Sequence, residues 1–139
     1  MSKVVSKSSI SVETARSLIE AAEKAALNLG VPMAIAIVDE SGILKSFSRM
    51  DGAPLLGVQL AQDKAYTAVS FGIPTHGWFD FIKNDPPLLH GIVKTPRLVV
   101  YGGGYPITIG KSIVGGIGVS GGHYHQDMKV AESAMLTLA

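Results

Sequence analysis

The sequence contains no cysteine. That excludes a disulfide framework, a thiolate nucleophile and a zinc–thiolate centre, and it fits a reducing compartment. Charge is scarce as well. Asp, Glu, Lys and Arg make up 17% of the 139 residues, against about 25% in ordinary soluble domains. Twelve basic residues stand against eleven acidic ones, with no basic run or stripe, so the phosphate-neutralising surface that nucleic-acid binding needs is missing. No apolar run approaches the roughly 18 residues of a membrane span. The first 30 residues lack the unbroken apolar stretch of a secretory signal, so a cytoplasmic location is expected. A surface this poor in charge predicts subunit interfaces and hence a homo-oligomer.

Apolar residues, by contrast, reach 47%, which excludes a disordered chain, and the length suffices for one independent core. Residues 1–9 read as a flexible tail and 10–139 as one domain. Ser11 caps a helix marked by Leu18, Ala22, Ala25 and Leu29 and stopped by Gly30 and Pro32. MAIAIVD (33–39) reads as a buried strand. A turn at Asp39–Gly42 leads to a half-buried strand at 43–50. Residues 55–72 carry a helical pattern, and 73–96 are irregular, with two adjacent prolines and several aromatics. A segment of that kind carries function or its own short helices. RLVVY (97–101), YPITI (105–109) and SIVGGIGVS (112–120) read as three further strands, and 123–139 as a closing helix. The short connections between strands leave no room for parallel crossovers. The prediction is an α+β domain on an antiparallel sheet.

Glycine is abundant, 16 of 139 residues. Eight fall at 102–104, 115, 116, 118, 121 and 122. The run Gly115–Gly122 has two readings. Its glycines permit close packing of strand and helix, or the amides of Ser120, Gly121, Gly122 and His123 cradle an anion at a helix start. His123 and Asp127, four apart, share a helical face as an acid–base pair, whereas His123 and His125, two apart, point to opposite sides of a helix. His76 and His90 bracket the aromatic segment with Trp78, Phe79 and Phe81. They are candidate axial ligands for haem in a flat pocket. Arg49, beside Asp51, suits a ligand carboxylate. Lys64 lies deep in an apolar helix and is a candidate base. Glu20 and Glu23 make a weak candidate pair for a hard cation.

Several motifs together resemble the GlcG/HbpS family, which includes the C-terminal domain of PduO-type proteins. They are Arg49-Met50-Asp51-Gly52-Ala53, Gln62-Asp63-Lys64-Ala65-Tyr66-Thr67-Ala68, Gly102-Gly103-Gly104-Tyr105-Pro106-Ile107, and Val114 to Gly122 followed by Gln126-Asp127 and Val130-Ala131. The resemblance spans about residues 10–138. It implies a profilin-like α+β fold with a central antiparallel sheet flanked by helices, five-stranded by the strands read above, together with homo-oligomers and haem as a ligand of some members. It also gives Glu20-Ala21-Ala22-Glu23 as a match to an iron-binding Glu-x-x-Glu pattern. Residues 74–95 and Gly122–His125 depart from the family's usual pattern. Two functions follow as expectations. One is an oligomeric protein binding haem or another flat ligand, with Gly103, Tyr105, Ser120, Gly121, Gly122 and His125 near the pocket. The other is a cofactor-independent enzyme acting on a small aromatic or hydroxy acid through His123, Asp127 and Lys64, with Arg49 and backbone amides holding an oxyanion.

Overall fold

The computed structural model describes all 139 residues. Helix α1 spans Val12–Leu29, with Ser11 Oγ accepting the Thr14 amide at its start and Gly30 ending it in a left-handed conformation. Strands β1 (Ala34–Asp39) and β2 (Leu44–Arg49) follow, then helix α2 (Leu55–Phe71). The irregular region contains short helices, α3 (Trp78–Ile82) and α4 (Pro86–Gly91), with single 3-10 turns before α3 and after α4. Strands β3 (Gly104–Ile109) and β4 (Ser112–Ser120) form a hairpin, and α5 (Tyr124–Met135) closes the chain.

The sheet is antiparallel throughout, in the order β2-β1-β4-β3. It has four strands rather than the expected five, because 97–101 forms none. The backbone groups that would have joined a ladder are taken by a side chain of α2. Thr67 Oγ1 donates to Arg97 O at 2.7 Å and accepts from Val99 N at 3.0 Å. Arg97 adopts a positive φ of 65°, donates from Nε to Asp63 at 2.9 Å and lays its guanidinium over the Tyr66 ring at 3.9 Å. A left-handed residue breaks the extended run that a strand requires. The strand expected at 43–50 is an edge strand more exposed than its alternation suggested, with Leu44 46% exposed.

Two layers of helix cover the sheet. Leu18, Ile19 and Ala22 of α1 and Val130, Ala131 and Ala134 of α5 bury Ile35, Ile37, Ile107, Ile117 and Val119 on one face. On the other face Ala61 and Ala65 of α2 meet Ala34, Ala36 and Val38. Large side chains thus point to one face and small ones to the other, which lets α2 ride on the sheet at backbone distance. A Cβ on Gly118 would lie 1.9 Å from Ala61 O, and one on Gly104 2.3 Å from Lys64 O. Both are far inside van der Waals contact, so glycine is obligatory there.

Residues 1–9 are exposed and carry no helix or strand. Lys7 nevertheless bridges Glu40 at 3.2 Å. Hydrogen bonds from Ser41, Ser9 and Lys7 hold the Glu40 carboxyl down at about 2. No helix is long and apolar enough to cross a membrane.

The glycine lane yields a direct expectation. Gly118→Ala forces α2 off β4 and should lower stability by about 1–3 kcal/mol or more in urea unfolding. Gly91→Ala, with open space around its Cβ, should change it by less than about 1 kcal/mol. Equal effects of the two would contradict the close packing of α2 on the sheet.

Candidate functional site

Lys64 projects from α2 at the end of the sheet where β3 begins. It is fully buried. Its ammonium donates to Val119 O at 2.9 Å and to Asp127 Oδ2 at 2.9 Å. The second Asp127 oxygen accepts the Gly122 amide at 3.0 Å. An amine and a carboxylate removed from water together are tolerable only when paired and hydrogen-bonded in this way. Burial drives the Lys64 pKa below its usual value, and the adjacent Asp127 charge pulls the other way. Gly103, buried at φ 126°, leaves room for the lysine: a Cβ there would stand 2.7 Å from Nζ. The Tyr101 ring covers the pair, its centroid 5.3 Å from Nζ. Burial, and secondarily the Asp127 charge, raise the Tyr101 pKa.

On the outer side of Tyr101 opens a cleft of about 540 Å³. Its walls are His76, Phe79 and Asp80 from the irregular region, Val100–Gly102 from the approach to β3, and Tyr124, His125 and Met128 from α5. Tyr101 and Tyr124 face each other with ring centroids 6.2 Å apart. Behind this wall the His76 ring lies 5.5 Å from that of Tyr105, whose hydroxyl donates to the Glu132 carboxylate.

The structure brings some of the expected residues together and separates others. His76 and His125 share the cleft. His90 is exposed on α4 and is absent from the cleft wall. Trp78 is buried, its ring edge-on to Phe71 at 5.0 Å and Phe81 at 6.1 Å, so it anchors the segment while its neighbour Phe79 lines the cleft. Arg49 donates from Nε and Nη2 to Ala53 O at 3.2 and 3.0 Å, closing its own turn. It lies two strands from Ser120, since Ala34 pairs with both. Glu20 is exposed and Glu23 half-buried on α1, and no group of three or more metal-ligating side chains occurs anywhere in the chain.

His123 and Asp127 form no pair. Asp127 turns inward to Lys64, while His123 is exposed as the N-cap of α5. Nor do the amides at the start of α5 await an anion. Gly122 N donates to Asp127, His123 N to Gln126 Oε1 at 3.0 Å, and His125 N to His123 Nδ1 at 3.2 Å. These internal partners take the donors that a bound anion would need. His123 and His125 do not point apart either. His123 has extended backbone, φ −66° and ψ 149°, so helical phase does not apply to it, and the two rings lie 4.7 Å apart. Phe79, expected in the wall of a flat pocket, does line the cleft, whereas sequence reasoning missed Asp80, Val100, Tyr101, Tyr124 and Met128. The signal for Tyr101 was its place before three glycines, where the chain must bend tightly into β3.

Residues 10–135 match the family model described as haem degrading protein HbpS-like. Over 137 residues the chain is 33% identical to an uncharacterised 15.0 kDa protein in the dhaT-dhaS intergenic region of Citrobacter freundii, covering 97% of this chain and 96% of that one. It is also 33% identical to the corrinoid adenosyltransferase PduO of Salmonella typhimurium, covering 99% of this chain but only 41% of that protein. A solved PduOC–haem complex shares a TM-score of 0.84 and 33% identity, over 92% of this chain and 94% of that one. A double variant of Streptomyces reticuli HbpS gives a TM-score of 0.88 and 28% identity, over 100% and 93%.

Proposed function

The chain belongs to the HbpS-like family, and on that footing we propose that its cleft binds a flat, largely apolar ligand, with haem the best match to the walls. The observation that carries this reading is two imidazoles, His76 and His125, on one aromatic cleft of about 540 Å³. That volume falls in the usual range for ligand pockets, roughly 300–1,000 Å³. A neutral imidazole nitrogen is the common axial ligand of haem iron. The rings of Phe79, Tyr101 and Tyr124 offer stacking surfaces for a planar macrocycle. Haem, when bound, supplies redox and oxygen chemistry. The protein's part is to hold and desolvate it: His76 or His125 at the metal, the aromatic walls on its faces, and Tyr101 shutting the Lys64–Asp127 pair away from the cleft. The acid–base alternative has less support, because Lys64 and Asp127 satisfy each other out of water and His123 stands apart from both.

The antiparallel sheet covered by helices on both faces supports a profilin-like description. Exposed apolar side chains at Leu55, Leu56, Phe71, Phe81 and Val93 support a homo-oligomer, since a lone subunit would leave them in water. Absent cysteine supports a cytoplasmic setting. Sedimentation velocity should show a species heavier than one 14.6 kDa chain; a monomer at every concentration overturns the oligomer.

Haemin titration followed by absorption should give a shifted Soret band. His76→Ala or His125→Ala should weaken binding about tenfold or more, or change the band, and His90→Ala should leave it alone. No shifted band, or a band indifferent to both cleft histidines, overturns the haem reading.

A further inference from the structure

His123 has no part in the cleft, and its pairing with the cleft residue His125 has a geometry unlike that of two histidines inside a helix. Capping turns His123 out of helical phase, and its ring comes to rest 4.7 Å from the His125 ring at an interplanar angle of 44°. Both residues are exposed, and neither is ion-paired to a carboxylate. The Tyr124 ring packs beside both, 4.1 Å from His123 and 4.6 Å from His125, which limits how far the imidazoles swing apart.

We propose that His123 and His125 form a two-nitrogen clip for a divalent transition-metal ion, with water completing the coordination. Two imidazoles with no hard oxygen donor between them favour nickel, copper or zinc over calcium or magnesium. A neutral imidazole has one free lone pair, and in His123 the Nδ1 lone pair accepts the His125 amide across 3.2 Å. That bond is long and solvent-facing. The metal takes the lone pair in its place, so binding trades one link of the α5 cap for a metal–nitrogen bond. No third protein ligand is at hand, so the site is an open one. His125 is also a cleft residue, which puts the metal at the cleft's rim.

The test is calorimetric titration of untagged protein with Ni2+. One site per chain is expected. Affinity should fall about tenfold or more in His125→Gln and in His123→Ser, the latter chosen because serine caps helices well and so keeps α5 intact, which circular dichroism checks. Affinity unchanged in either variant, or an equal loss in His76→Ala or His90→Ala, overturns the clip. A second readout is the Cu2+ electron paramagnetic resonance spectrum, which should show coupling to two imidazole nitrogens; one nitrogen only would also overturn it. Neither readout involves haem, so failure of the haem reading leaves the result interpretable.

Discussion

A lysine and a carboxylate taken out of water together place demands on every residue around them. Lys64 and Asp127 sit on helices that pack against opposite faces of the sheet, and their contact at 2.9 Å passes around the start of β3. For the lysine side chain to pass, residue 103 must be glycine, and for its helix backbone to lie this close to β3, residue 104 must be glycine too. For the ammonium to be satisfied, β4 must offer Val119 O. For the carboxylate to be satisfied, α5 must begin where Gly122 N reaches its second oxygen. The entry of α5, the bend into β3 and the seat of α2 are thereby tied at one point, and the cleft walls are built from the same segments. Pairs of this kind often stabilise no better than apolar residues of the same volume, but breaking one is costly. What this pair contributes is position.

The same segments explain why Tyr101 stands where it does. Its ring closes over the buried charges on one side and forms the cleft wall on the other. Water kept from Lys64 and surface offered to a ligand are two consequences of one side chain. The aromatic segment supplies the opposite wall, with Trp78 sunk into Phe71 and Phe81 as the anchor and His76 and Phe79 left facing outward.

Much of the fold was legible in the residues. Ser11, Gly30 and Gly72 bound their helices as caps do, and the alternation of Ala with Ile and Gly with Ile or Val in 34–37 and 116–119 already separates a small-residue face from a large one. What local pattern concealed was the use of side chains as backbone partners. RLVVY has every propensity of a strand, yet Thr67, thirty residues earlier, takes its hydrogen bonds. His123 and Asp127 have helical spacing, yet one is a cap and the other answers to a lysine 63 residues away in sequence. Spacing rules hold only inside an element, and long-range polar partners override them. The cleft itself combines three stretches far apart in the chain, so only its histidines and aromatics gave warning.

The claim that the Lys64–Asp127 pair governs this end of the molecule is tested most directly by a double-mutant cycle in urea unfolding, with Lys64→Met, Asp127→Asn and both together. Each single change should cost about 3–5 kcal/mol, because it leaves a buried partner uncompensated, and the double variant should be more stable than the sum of the singles by at least about 1 kcal/mol. Strictly additive losses, or singles that cost less than about 1 kcal/mol, would contradict it.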